Sequence, residues 1–204
     1  MTSIVLAGGK SLRFGRNKAL QVIGEKTLIQ WVADRIAILS TEIIIATAHG
    51  EAIPCSSTLS IKTVADIHPG KGPLGGIYSG LIASSSSQAI VVGCDTPFLS
   101  TGLLEYMIQI CPTFDVVVPR IKKKVEPLCA VYSKNCLAPI QELLERDERQ
   151  IKKLFSMVKV QYVKQDEIDS FDPEHLSFFN VNSQDDLERA RKLATERGWL
   201  PDKS

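Results

Sequence analysis

Ile43-Ile44-Ile45-Ala46 runs apolar without a break between Glu42 and Thr47. A strand with one face in water alternates apolar and polar residues. A strand that is apolar on both sides belongs in a sheet covered by helices on both faces, the usual setting of parallel strands. Ala89-Ile90-Val91-Val92-Gly93-Cys94 has the same character and is the most strongly buried-looking strand of the chain. Working outward from these two runs, shorter strands are predicted at Ile4–Leu6, Thr63-Val64, Asp115–Pro119, Leu128–Tyr132, Val158–Val163 and Phe178–Val181. Helices fall between them. Behind a Thr27 cap, Leu28, Trp31, Val32, Ile36 and Leu39 share one helix face, and Pro73 starts a helix running through Leu81. Further helices are predicted from Ser100 through Ile110 and over about Pro139–Phe155. The last opens on Ser183-Gln184-Asp185-Asp186, similar to a capping box, and runs to about Arg197. This β-α-β-α order predicts an α/β fold: a three-layer, doubly wound, mostly parallel sheet, in one domain over residues 1–204.

Bulk properties exclude several classes of function. The 24 Lys and Arg nearly cancel the 23 Asp and Glu, whereas a protein that wraps a duplex is strongly basic, so no nucleic acid is expected as partner. No apolar run approaches the ~18–20 residues of a membrane span, so no membrane is expected either. Met1-Thr2-Ser3-Ile4-Val5-Leu6 enters a strand at once, without a signal core. The five cysteines form no CxxC pair. Together these features read as reduced thiols in a cytoplasmic protein.

Open α/β sheets bind ligands beyond the carboxyl ends of their strands, and four such places carry chemistry here. After the first strand comes Leu6-Ala7-Gly8-Gly9-Lys10-Ser11-Leu12-Arg13-Phe14-Gly15-Arg16-Asn17-Lys18. Gly8 and Gly9 let backbone N–H groups approach a polyanion or a base edge, while Arg13 and Lys18 add the positive charge that a triphosphate requires. Asp66, followed by Pro69-Gly70-Lys71-Gly72-Pro73-Leu74-Gly75-Gly76, offers a carboxylate to a ribose hydroxyl or a base beside a helix N-terminus. Asp95, at the end of an uncharged strand, suits a hard cation such as Mg²⁺, which takes one or two carboxylates plus substrate phosphates. In Phe179-Asn180-Val181-Asn182, the two amides are expected on one face of a strand, with an amide oxygen as a second metal ligand. Cys94 reads as a packing residue, because no His lies near in sequence to activate it. Lys122-Lys123-Lys124 reads as a hairpin turn or as a patch that attracts a phosphorylated substrate.

Two motifs mislead. Gly9-Lys10-Ser11 imitates the end of a P-loop, but Ile4 stands where its first glycine is required. Gly70-Lys71-Gly72-Pro73-Leu74-Gly75 fits the dinucleotide glycine pattern, but Asp66-Ile67-His68-Pro69 separates it from a strand.

Taken in order, LAGGKSLRFGRNKAL (6–20), PGKGPLGGI (69–77), GCDTPFLS (93–100), EPLCAVYS (126–133) and FFNVNSQDDL (178–187) resemble the nucleotidyltransferase family that includes molybdenum cofactor guanylyltransferase. The resemblance implies GTP and molybdopterin cofactor as substrates, Mg²⁺ as cofactor, and partner proteins that deliver the cofactor or apo-molybdoenzymes that receive it. By position it implies that Leu6, Ala7 and Gly8 line the nucleotide pocket, Lys18 holds phosphate, and Asp66 contacts the nucleoside, to which the reading of the loop itself adds Gly9 to the pocket and Arg13 to the triphosphate. Asp95 would ligate Mg²⁺, with Asn182 as second ligand. Where some relatives carry a nucleotide-contacting Asn after the second strand, this chain reads Ile45-Ala46-Thr47. A cytidylyltransferase on the same cofactor and a sugar- or alcohol-phosphate nucleotidyltransferase share the same phosphate-handling residues. A non-catalytic nucleotide sensor and a dinucleotide-dependent oxidoreductase are the readings from other classes.

Overall fold

The computed structural model describes residues 1–8 and 17–200. In chain order its strands are β1 (Thr2–Leu6), β2 (Val22–Ile23), β3 (Lys26–Thr27), β4 (Glu42–Thr47), β5 (Ser60–Ala65), β6 (Gln88–Gly93), β7 (Val116–Ile121), β8 (Lys124–Val125), β9 (Cys129–Ser133) and β10 (Val160–Val163). The α-helices are α1 (Leu28–Ala37), α2 (Pro73–Ala83), α3 (Thr101–Ile110), α4 (Leu137–Glu145), α5 (Ile151–Leu154), α6 (Gln165–Asp169) and α7 (Gln184–Glu196). The main sheet has the order β10-β7-β9-β6-β1-β4-β5, with β8 folded back on β7. All of its pairings are parallel except those of β9, which runs antiparallel to both β6 and β7, and the β7–β8 hairpin.

The unbroken apolar runs fill both faces as the sequence predicts. Val5, Ile43 and Ile45 join Val32 and Ile36 of α1 and Leu103 and Met107 of α3 in one cluster. Ile4, Ile44 and Ala46 turn the other way, onto Leu74, Ile77 and Leu81 of α2 and Ile140 and Leu144 of α4. The result is a helix layer on each side of the sheet. Gly80 allows the closest contact, because a Cβ there would lie 2.5 Å from Ile4 Cγ2. Three helices start as read: the Thr27, Ser100 and Ser183 hydroxyls accept the backbone N–H groups of Gln30, Leu103 and Asp186.

Two elements differ from expectation. The helix placed over about Pro139–Phe155 is broken into α4 and α5. Asp147 has a positive φ of 56°, Glu148 N–H returns to Leu143 O and Asp147 N–H to Leu144 O, a Schellman ending made without glycine. The strand placed over Phe178–Val181 does not form. Leu176–Phe178 is a 3₁₀ turn, and the following residues approach the sheet just beyond the end of β6, where Val181 N–H donates to Asp95 O at 2.9 Å. Both edges of β6 are already taken by β1 and β9, so a further segment can meet it only at its end. Val181 packs instead with Phe98, Trp31 and Leu187 in a third cluster beneath α7.

The amino edge of the sheet is pinned by a buried carboxylate. Glu42 Oε1 accepts from Thr2 Oγ1 at 2.7 Å and from the Ser85 N–H and hydroxyl at 2.7 and 2.6 Å, while Oε2 accepts from Lys62 Nζ at 3.1 Å. Burial alone would raise the pKa of this group, but these donors outweigh it and hold its pKa at about 2. A depressed carboxylate stabilises the fold above its unfolded pKa, and that stability is lost as pH falls through the folded value. Replacing Glu42 by Gln is therefore expected to cost on the order of 2–3 kcal/mol at pH 7. In urea unfolding curves the gap to wild type should narrow as pH drops below about 4.5 toward 2. A gap independent of pH would show that the charge of Glu42 does not hold this edge.

Candidate active site

The register of the parallel strands decides where the site lies. Leu6 of β1 pairs with both Ala46 of β4 and Gly93 of β6, and Ala46 pairs in turn with Val64 of β5. The residues that follow these ends, Ala7-Gly8, Asp66 and Cys94-Asp95, therefore emerge side by side. Gly9 and Arg13 lie outside the described residues.

Lys18, in the 3₁₀ turn Lys18–Leu20 capped by Asn17, comes back over the sheet edge. Its Nζ donates to Asp95 Oδ2 at 2.6 Å and to Asn182 Oδ1 at 2.7 Å. The Lys18 and Asp95 side chains are about one-fifth exposed, so this ion pair is partly withdrawn from water. Gly93 leaves room for the carboxylate, since a Cβ there would fall 2.5 Å from Asp95 Oδ1. Asn182 is delivered by α7, whose Arg191 binds the carbonyl of Val22 in the β2–β3 hairpin just after Lys18. Asp186 fixes the entry to that helix by accepting from Asn182 N–H at 3.0 Å. Asn180 does not share a face with Asn182 as expected. Without a strand to alternate along, its amide donates to Phe178 O at 2.9 Å.

A small cleft of about 140 Å³ surrounds Lys18 and Asp95, with Leu6, Ala7, Gly8 and Pro73 on its other side. A second, of about 110 Å³, shares Leu6, Gly8 and Pro73 and reaches across β1 to Asp66, Thr47 and Gly76. The two form a path over the ends of four strands, with a cation at one end and a carboxylate at the other. Ala7 offers no N–H donor, because its N–H is spent on Ala46 O at 2.9 Å. At the departure Ile45-Ala46-Thr47 no amide side chain is present, and the buried Thr47 hydroxyl has no hydrogen-bond partner among the described residues.

Oxygen atoms are the available ligands. Among the described residues no three His, Cys, Asp or Glu side chains come together. Asp95 and Asn182, already gathered around one ammonium, supply the hard carboxylate and amide oxygens that suit Mg²⁺ in a site completed by substrate phosphates. Cys94 is no nucleophile: burial, with Asp95 beside it, pushes its thiol up to about 12.

A larger cavity, about 960 Å³, lies elsewhere, between the β7–β8 hairpin and α7. Lys122, Lys123 and Lys124 form its basic lip, with Lys122 at a φ of 54° in the turn, and Phe178, Phe179 and Arg189 face them. Sequence reasoning singled out the lysines but not this cavity, because the hairpin and α7 that enclose it are some sixty residues apart. Among the described residues no helix is long and apolar enough to cross a membrane.

The family model of the MobA-like NTP transferase domain matches residues 3–165. A protein of Pelotomaculum thermopropionicum described as a probable molybdenum cofactor guanylyltransferase is 36% identical over 203 residues, covering 98% of each chain. The molybdenum cofactor guanylyltransferase of Desulfosudis oleivorans is 34% identical, covering 93% of this chain and 94% of its own. Among solved structures, molybdopterin-guanine dinucleotide biosynthesis protein A from Archaeoglobus fulgidus superposes with a TM-score of 0.80 at 24% identity, over 96% of this chain and all of that one. The fold also matches 2-C-methyl-D-erythritol 4-phosphate cytidylyltransferase from Thermus thermophilus, with a TM-score of 0.69 at 19% identity over 95% of this chain and 98% of that one. With the family model matched over most of its length and a relative 36% identical across 98% of it, the chain belongs to the MobA-like NTP transferase family.

Proposed function

We propose that the protein transfers GMP from GTP to the terminal phosphate of molybdopterin cofactor, forming the guanine dinucleotide cofactor and releasing pyrophosphate. The observation that carries this reading is the Lys18 ammonium held between Asp95 and Asn182 at the carboxyl edge of the sheet. It supports nucleotidyl transfer because that reaction needs cations more than it needs a base. A terminal phosphate with a second pKa of about 6 is already mostly dianionic near neutral pH. Its oxygen attacks the α-phosphorus, and the bond from that phosphorus to the bridging oxygen breaks with its electron pair leaving on pyrophosphate. Bringing anions together and holding the leaving charge are the costly parts, so positioning and positive charge supply the catalysis.

In this reading the nucleoside lies over Gly8 and Gly76 toward Asp66, which accepts its N–H or O–H donors. The triphosphate runs back toward Lys18, whose ammonium exchanges Asp95 and Asn182 for phosphate oxygens. Arg13 adds a second, forked cation. Asp95 and Asn182 would hold Mg²⁺, which when bound neutralises phosphate charge and fixes its orientation. The acceptor takes the large cavity, where Lys122–Lys124 attract its phosphate and Phe178 and Phe179 offer flat apolar surface. Phe179, in the lining of that cavity, stands three residues before Asn182, which supports placing the acceptor near the transferred group. The five cysteines are all free thiols, which supports a reducing, cytoplasmic setting.

Asp95→Ala is expected to abolish turnover while thermal unfolding stays cooperative. Activity within a few-fold of wild type at saturating Mg²⁺, measured as pyrophosphate release, would remove Asp95 from the chemistry. Lys18→Ala should lower kcat/KM by an amount worth roughly 2–4 kcal/mol, as when one preorganised electrostatic donor is lost. An unchanged kcat/KM rejects the phosphate role.

Base choice is tested by thermal shift with GTP, CTP, ATP and UTP, each with and without Mg²⁺. A ligand that binds only the folded form raises apparent stability by mass action, and the largest Mg²⁺-dependent rise is expected for GTP. A larger rise with CTP would make the protein a cytidylyltransferase.

A further inference from the structure

Asp66 is held by a small cradle that the pocket itself does not expose. Its Oδ1 accepts from His68 N–H at 2.9 Å and lies 3.2 Å from the Ser79 hydroxyl. Ser79 sits in the second turn of α2, 2% exposed, and lines neither cleft of the site. Its Oγ also accepts from Ile67 N–H at 2.8 Å and faces Gly75 O at 2.9 Å. One hydroxyl therefore ties helix, loop and carboxylate together. Gly75 closes the cradle from the other side, where a Cβ would fall 2.8 Å from each carboxylate oxygen of Asp66. Asp66 N–H is meanwhile anchored on Thr47 O at 2.9 Å. With Oδ1 engaged, Oδ2 makes no hydrogen bond among the described residues and is the oxygen left for a ligand.

We propose that Ser79 is a positioning residue for nucleotide recognition, aiming the outer oxygen of Asp66 at the donors of the bound nucleoside. Resting on the assignment of Asp66 to the nucleoside, it extends the recognition site to a residue outside the pocket. A helix serine that only satisfied itself would bond the carbonyl four residues back, and Gly75 O is there for that purpose. Ser79 does more: it receives the N–H of the loop residue next to Asp66, and its hydroxyl lies within hydrogen-bond reach of the Asp66 carboxylate at 3.2 Å. A freely rotating carboxylate would have to be ordered at the moment of binding, and pre-set orientation removes that cost from nucleotide affinity.

The test is a double-mutant cycle read by Mg²⁺–GTP binding and by steady-state kinetics. Ser79→Ala should weaken Mg²⁺–GTP affinity by about 3- to 10-fold, the range of one ordinary hydrogen bond, because the single Ser79 hydroxyl hydrogen is shared between Asp66 and Gly75 O, with kcat within about twofold of wild type. In an Asp66→Ala background the same substitution should have no further effect on affinity. Gly75→Ala gives an independent reading should Ser79→Ala fold poorly. It should weaken GTP binding in the wild-type background, where its Cβ displaces the carboxylate, and much less in Asp66→Ala. If Asp66→Ala leaves GTP affinity unchanged, the nucleoside role of Asp66 is wrong. If Asp66→Ala weakens binding while Ser79→Ala does not, or Ser79→Ala weakens it equally in both backgrounds, Asp66 stands and the positioning role of Ser79 is overturned. A loss confined to kcat overturns it as well.

Discussion

Everything at the site depends on the register of four neighbouring parallel strands. Leu6, Ala46, Val64 and Gly93 lie level across β1, β4, β5 and β6, so the chain leaves the sheet four times along one short edge. Strand side chains alternate with a period of two, and a slip of one residue would turn Ile4 and Leu6 off α2 and bring Ser3 and Val5 onto it. The core therefore penalises any misalignment that would separate Gly8, Asp66 and Asp95. At the opposite edge Glu42, Thr2 and Ser85 join β1, β4 and the turn after α2 through buried hydrogen bonds. The carboxyl edge is thus free to carry the Lys18–Asp95 ion pair without relying on it for register, because register is held elsewhere.

The parts of the site that come from distant sequence arrive by a different route. Lys18 and Asn182 are brought together by the β2–β3 hairpin and α7, which pack around Trp31, Phe98 and Trp199. Phe98 meets Trp31 edge-on at 5.9 Å and Trp199 at 5.1 Å, contacts of the kind worth about 0.5–1.5 kcal/mol beyond the area they bury. The Trp31 indole donates to Ile23 O at 3.1 Å, fixing the hairpin that follows Lys18. This third cluster lies off the sheet and acts as a strap. It joins the two chain segments whose side chains meet over Asp95, while the cores above and below the sheet hold Asp95 itself.

These two routes also explain which features were legible in the sequence. Ile43–Ala46 and Ala89–Cys94 announce buried parallel strands because no polar residue interrupts them, and Thr27, Ser100 and Ser183 announce helix starts because their hydroxyls have a local partner. Asp66 and Asp95 stand out as single carboxylates at strand ends. What could not be read depends on contacts between residues far apart in the chain. Asn180 and Asn182 look like one face of a strand until β1 and β9 are seen to occupy both edges of β6. The break after α4 rests on Asp147 adopting a left-handed conformation usually left to glycine, with Lys71 donating to its carboxylate at 2.6 Å. Ser79 sits in an otherwise apolar and glycine-rich helix, and nothing near it in sequence reveals that it meets Asp66. The antiparallel course of β9 follows from the hairpin whose turn is Lys122–Lys123: the sequence offered Lys122–Lys124 as a hairpin turn, and its consequence for the sheet was not legible.

Helix α2 links packing to recognition most directly. Gly76 and Gly80 let it lie against Leu6 and Ile4, with a Cβ at Gly76 only 3.1 Å from Leu6 Cδ2. Its first turn carries Pro73 into both clefts, and Gly75 and Ser79 form the cradle of Asp66. A helix is stiff over eleven residues, so its height above β1 is one variable shared by core and pocket. A side chain added at Gly80 has to push Ile4 or lift the helix, and lifting it opens the floor of the cleft lined by Leu6, Pro73 and Gly76. The same glycines would look dispensable in an isolated helix, where each costs about 1 kcal/mol relative to alanine. Their presence is explained by the close approach they permit, which puts a carboxylate, a proline turn and a strand end within reach of one ligand.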